Sequence, residues 1–157
     1  MLVIEKENEK FNFRVAAIIL NEEGDKVLIH RKKGNNFWML PGGRMEMGED
    51  TSTGIQRELK EELEIKEKVA IKYIIEDFFK LGNITYHELC FYYKVNINLR
   101  KYSLNFSDEF AGVEGENYIF KWININEIDN YDLKPEFLKE KIKNCNENVE
   151  HVIIDER

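Results

Sequence analysis

Between Arg44 and Glu64 the chain places seven acids (Glu46, Glu49, Asp50, Glu58, Glu61, Glu62, Glu64) against three bases (Arg44, Arg57, Lys60). Carboxylates at that density either face water as a solvated charge run or gather a hard cation. On a helix turning by about 100° per residue, Glu58, Glu61 and Glu62 fall within one sector, because positions i, i+3 and i+4 share a face. Like charges so placed repel weakly, and a divalent cation reverses the sign. Oxygen ligands suit Mg²⁺, with Mn²⁺ as the alternative ion, because such a cation takes carboxylates together with waters and phosphate oxygens. The plainer arrangement is a solvated acidic face with Arg57 paired to Glu61, which is worth little at a surface.

Local pattern supplies the elements that must hold these residues. From Asp50 to Leu63 the apolar positions Ile55, Leu59 and Leu63 recur at i+4, and Asp50 or Thr51 is available as N-cap, which predicts a helix. Phe13 to Leu20 and Lys26 to His30 read as two strands joined by the turn-rich Asn21 to Asp25, a hairpin. Phe37 to Leu40 is a short apolar run stopped by Pro41-Gly42-Gly43. Val69 to Phe79, Ile84 to Val95 and Tyr118 to Ile123 read as further strands, and Val149 to Ile154 as a last one. Pro135 is placed to open a final helix running to about Lys143. Strands mixed with two helices predict a layered α/β or α+β domain, with residues 1–157 as a single unit.

Composition narrows the partners. A formal net charge of −7 argues against broad nucleic-acid or anionic-membrane binding, which needs a basic face. No apolar stretch long enough for a membrane span is present, and Met1 to Lys10 lacks the apolar region of a signal peptide. Cys90 and Cys145 lie far apart with no CxxC pair, which fits a reducing, cytoplasmic setting.

The acidic helix and its lead-in resemble the Nudix hydrolase family. Gly43 fits the opening glycine of the family's box, Glu49 the first glutamate, Arg57-Glu58-Leu59 the central triplet, Glu61-Glu62 the pair, and Ile65 the final aliphatic position. Leu40-Pro41-Gly42-Gly43 and Gly48-Glu49 resemble the usual lead-in. One position departs: Glu64 stands where the box has glycine. There the helix should end in a left-handed residue, and glutamate should cost about 1 kcal/mol in backbone preference. Gly54 lies beside the carboxylate sector, where a missing side chain leaves room for metal or phosphate or simply serves packing.

The resemblance implies a Nudix-like α/β/α sandwich with a mixed β-sheet between helices. It also implies Mg²⁺-dependent hydrolysis of a pyrophosphate bond in a nucleoside diphosphate linked to another moiety, by water attack at phosphorus. Nucleoside triphosphates, dinucleotides and nucleotide sugars all fit, and many relatives are homodimers. By resemblance Glu58, Glu61 and Glu62 are the main metal ligands, with Glu49 and the Gly43 carbonyl nearby and Arg57 orienting a carboxylate. Glu58 is the first candidate general base and a loop glutamate the second. A further glutamate before the Trp122 strand completes the site, with Glu116 the better match and Glu114 the second. Arg14, Arg31 and Arg44 are candidate phosphate contacts, against the plainer reading as surface residues. Phe37, Trp38 and Phe79 read as core before base-stacking residues, and an outward polar residue is expected at His87 or Glu88. The alternative function is a catalytically silent Nudix-like module that senses a nucleotide.

Overall fold

The long strand β2 (Glu9–Asn21) organises the molecule, because its alternating side chains build two cores at once. Val15, Ala17 and Ile19 enter one cluster, while Ala16, Ile18 and Leu20 enter the other. The computed structural model describes residues 1–102 and 109–157. The sequence places a loop from Ser107 to Asn117 ahead of the Trp122 strand, and its first two residues, Ser107 and Asp108, lie outside the described residues.

Around β2 the chain lays down β1 (Val3–Lys6), β3 (Lys26–Lys32), β4 (Gly42–Arg44), α1 (Thr51–Leu63), β5 (Ala70–Leu81) and β6 (Ile84–Ile97). There follow a single turn α2 (Leu99–Tyr102), β7 (Phe110–Gly112), β8 (Gly115–Asn124), a 3₁₀ turn (Ile125–Asn130), α3 (Leu138–Lys143) and β9 (Glu150–Asp155). The described strands form one mixed sheet in the order β7-β8-β3-β2-β6-β5-β9, with β1 and β4 also pairing to β2. β2 and β6 run parallel over the whole length of β2, from Glu9↔Thr85 to Asn21↔Ile97. Helix α1 covers one face through Ile55, Leu59 and Leu63, and α3 with the 3₁₀ turn covers the other through Leu138, Ile142 and Ile128. The architecture is therefore a mixed sheet between helices, of the α+β class. Among the described residues no helix is long and apolar enough to cross a membrane, and both cysteines are free thiols.

Three expectations change in detail. The hairpin holds at its turn, where the Asn21 side-chain oxygen accepts from the Asp25 and Lys26 amides at 3.1 and 3.0 Å. Beyond Leu20↔Val27 it splays, because β4 pairs with Arg14 to Ala16 and Met39 bridges to His30 in the space between. Apolar runs mark strands but not their partners, so a three-residue strand made of Gly-Gly-Arg escaped the reading. Pro135 precedes the last helix instead of opening it; its carbonyl accepts from Leu138, where α3 begins.

Helix α1 starts and stops where local chemistry dictates. Asp50 caps it, accepting from the Thr53 amide at 2.9 Å. At the other end Glu64 adopts φ 57° and ψ 23°, while its amide reaches Lys60 O at 3.0 Å and the Ile65 amide reaches Leu59 O at 3.1 Å. That is the paired closure glycine usually makes, formed here by a residue with a Cβ. Glu64→Gly should therefore stabilise the protein by about 1 kcal/mol, raising Tm by roughly 2–4 °C. Calorimetric melting checks it, and an unchanged or lower Tm would mean that Glu64 makes compensating contacts.

Candidate active site

The lead-in and the helix are joined by one guanidinium. Arg57 Nε and Nη2 donate to the two Glu49 oxygens at 3.1 and 2.6 Å, and Nη1 donates to Glu58 at 2.7 Å and more distantly to Glu61 at 3.4 Å. Its Nη2 also reaches the Arg44 carbonyl on β4 at 3.1 Å. Glu49 in turn accepts from the Glu46 amide at 2.8 Å, closing the loop onto itself. Two-pronged, charge-assisted bonds of this kind fix geometry as well as charge. The helix pairing anticipated between Arg57 and Glu61 is thus the weakest of several. The Arg57 charge also holds the Glu49 carboxyl below its usual range.

Helix phase and the neighbouring hairpin decide how wet each carboxylate is. The Glu61 side chain is 46% exposed, whereas Glu62 is only 8% exposed. Glu62 is covered because the Val113 amide donates to its backbone carbonyl at 2.8 Å, drawing the β7–β8 turn onto the end of α1. A side chain at Gly112 would collide with that carbonyl and with Phe120, so the close approach needs glycine. One Glu62 oxygen, Oε2, is buried without a partner in the protein. Burial first, and then the charges of Glu58 and Glu114, push its pKa up to about 8, with Arg14 opposing. Glu58 is also raised, by burial first, with Arg57 pulling the other way.

A cavity of about 330 Å³ opens beside Glu62, lined also by Glu114, Gly115, Asn117 and Tyr118. Glu114, not Glu116, is the loop acid brought to the site: it lines this cavity and its charge acts on both Glu58 and Glu62, whereas Glu116 is exposed and does neither. Gly43 sits so close to Glu58 that any Cβ would overlap the carboxylate. At Gly54 a Cβ would meet Met45 Sδ at 2.5 Å, so the room there is used for packing.

The three arginines separate. Arg14, on β2, lies 4.0 Å from Glu88 and its charge reaches Glu62. Arg31 stacks 5.1 Å over Trp38 and donates to Asn35 O, while Arg44 Nη1 contacts Met1 Sδ at 3.0 Å. Trp38 is buried, as expected of a core residue, and Phe79 stacks on Tyr86. His30 was missed. It stacks on Tyr118 at 5.0 Å beside the cavity, its pKa lowered to about 3 by burial and then by Arg14, so it is neutral at physiological pH. Its place at the end of an apolar strand was the available signal.

Among the described residues no three acidic, thiol or imidazole groups form a ready-made cation cage; Arg57 instead gathers Glu49, Glu58 and Glu61. The donor set still fits a hard divalent ion. It is all oxygen, it spans one helical face, and its most buried member carries an orphaned oxygen.

The sequence pattern of the NUDIX domain matches residues 10–145. The chain belongs to the Nudix family. The chain is 28% identical over 130 residues to the uncharacterized Nudix hydrolase YvcI of Bacillus subtilis, covering 78% of this chain and 72% of that protein. It is 40% identical over 60 residues to the RNA pyrophosphohydrolase of Pelagibacter ubique, covering 37% of each. The first curated relatives it matches are thus spanned over little more than a third of their length. In fold it is similar to a MutT protein from Bacillus halodurans, with TM-score 0.68 and 20% identity over 92% of this chain and 91% of that one.

In this Nudix site the raised pKa of Glu62 sets a stability trend. A carboxyl whose folded pKa of about 8 exceeds its ordinary 4.5 favours folding below 4.5, and loses that contribution as pH climbs to 8. In chelator, wild-type stability should fall relative to Glu62→Gln between pH 5 and 8.5. Urea titrations across that range test this; parallel curves would show that Glu62 is not desolvated in solution.

Proposed function

We propose that the protein hydrolyses a pyrophosphate bond in a nucleoside diphosphate linked to another moiety, using Mg²⁺ or Mn²⁺. The observation that carries this reading is the buried, unpartnered Glu62 oxygen beside Glu58 and Glu114, at the mouth of a cavity. Such an arrangement is costly unless a cation arrives. Glu58, Glu61 and Glu62 would hold the ion, with Glu49 and the Gly43 carbonyl nearby and Glu114 taking the place expected of Glu116. When bound, the ion polarises phosphoryl oxygens and offsets the negative charge of site and substrate.

The remaining roles fall to the chain. Arg57 keeps the Glu49 loop and Glu58 in register, so the carboxylates are positioned before substrate arrives. Arg14 supplies the cationic contact for a phosphate. Glu58 is held by Arg57, whereas Glu114 is exposed at the cavity and free of that tie; its freedom to meet a water makes Glu114 the better placed proton acceptor, with Glu58 the second. The Pelagibacter relative, named as an RNA pyrophosphohydrolase, supports the reaction class. The two free thiols suit a cytoplasmic setting. Metal binding alone would also suit a sensor that never cleaves its ligand, so turnover separates the two.

The test is release of phosphate or nucleoside monophosphate from a panel of pyrophosphate compounds, with and without Mg²⁺. Turnover should require the ion and fall at least about a hundredfold in both Glu62→Gln and Glu114→Gln. Glu116→Gln should stay within about threefold of wild type, as expected of a surface change. Nucleotide binding without turnover across the panel would favour the sensor, and a large loss in Glu116→Gln with Glu114→Gln near wild type would return the loop assignment to Glu116.

A further inference from the structure

The face of β2 that carries Leu20, Ile18 and Ala16 into the core beneath α3 turns polar at Arg14 and Asn12. The change is in register across neighbouring strands. Asn12 pairs with Glu88 on β6, and Glu88 pairs with Asp77 on β5. Three polar side chains thus form one transverse row, spaced about 4.8 Å from strand to strand. The polar residue expected near His87 and Glu88 is therefore no isolated surface group.

The row is poorly explained as structure. Carboxylates directly opposite each other on paired strands repel, and burial followed by the Glu88 charge pushes Asp77 up to about 6. Asn12 is 4% exposed. Its amide nitrogen donates to Glu88 at 3.4 Å, while its Oδ1 is buried without a partner, as is one Asp77 oxygen. Buried polar atoms are nearly always satisfied. Here the surplus is of acceptors, so what completes the row must donate hydrogen bonds.

We infer that this row binds a hydroxyl-rich glycosyl or ribosyl group on the far side of the substrate's diphosphate, making the substrate a nucleotide sugar. The inference rests on the pyrophosphatase reading for the position of the diphosphate. Arg14 stands one alternation up the same face, 4.0 Å from Glu88, with its charge also reaching Glu62. It therefore connects the row to the α1 carboxylates, and a phosphate held there places the attached group on Asn12, Asp77 and Glu88. Phosphate itself is acceptor-only and is repelled by the row. A nucleobase would want an exposed ring to stack on: Phe11, Phe78 and His87 project from the opposite face, Tyr92 is buried in the core, and Tyr118 stands on β8, across β2 from Glu88 and Asp77. Sugar hydroxyls donate to the orphaned oxygens and accept from Arg14 without stacking.

The experiment compares UDP-glucose, ADP-glucose and ADP-ribose with UTP and ATP, measuring kcat/KM with Mg²⁺ and, separately, binding by calorimetry. Wild type should prefer at least one sugar in both measurements. The isosteric variants Asp77→Asn and Glu88→Gln should cut the sugar-to-triphosphate ratio about tenfold, chiefly through KM. Asp77→Asn should also raise Tm, since it relieves the repulsion, so a lost preference cannot be put down to misfolding. A raised Tm with the ratio unmoved overturns the inference and makes the row structural; so does tighter binding of the triphosphates by wild type. Sugar binding that weakens in both variants, with no turnover of any compound, would keep this inference and remove the hydrolase reading.

Discussion

Holding the Glu62 carboxylate out of water, next to Glu58 and Glu114, is the constraint on which the rest of the site depends. A lone buried charge of this kind either takes up a proton or finds a cation. The fold keeps Glu62 in that position through apolar packing unrelated to the chemistry: Ile55, Leu59 and Leu63 press α1 onto Val15, Ala17 and Ile19. Each such side chain contributes about 2 kcal/mol when fully buried. The β7–β8 turn then closes over the helix end through Val113, and Gly112 permits the approach.

Arg57 supplies the second half of the design. By bonding Glu49, Glu58 and the Arg44 carbonyl together, it makes β4, the Gly48-Glu49 turn and α1 one unit. A lysine would carry the same charge but not the planar fork that reaches three elements. The guanidinium also balances charge while no cation is bound. Glu62 lies outside its reach, which is why the unresolved charge is concentrated there.

How much of this was legible in the sequence follows from the range of each interaction. The helix, its Asp50 cap, the spacing that puts Glu58 and Glu62 on one face, and the strained Glu64 terminus are all local, so residue types and spacing carried them. Contacts made between distant segments were not readable. The parallel pairing of β2 with β6 joins residues about 75 positions apart, so the row of Asn12, Glu88 and Asp77 was invisible until the register was known. Glu116 was chosen over Glu114 by counting back from Trp122, and a count cannot say where the β7–β8 turn bends. Strand β4 and the true start of α3 were lost for a related reason: Gly-Gly-Arg has no strand signature, and Pro135 serves the approach to the helix as readily as its first turn.

The most direct test of the account is calorimetric titration of Mg²⁺ into the protein at pH 7.5 in two buffers of different ionisation enthalpy. With Glu62 pushed up to about 8, most molecules carry its proton at that pH, and a cation that takes this oxygen must displace it. Binding accompanied by release of about one proton, absent in Glu62→Gln, is the predicted result. Binding with no proton released, or left intact by Glu62→Gln, would contradict the claim that the buried carboxylate is the seat of the metal.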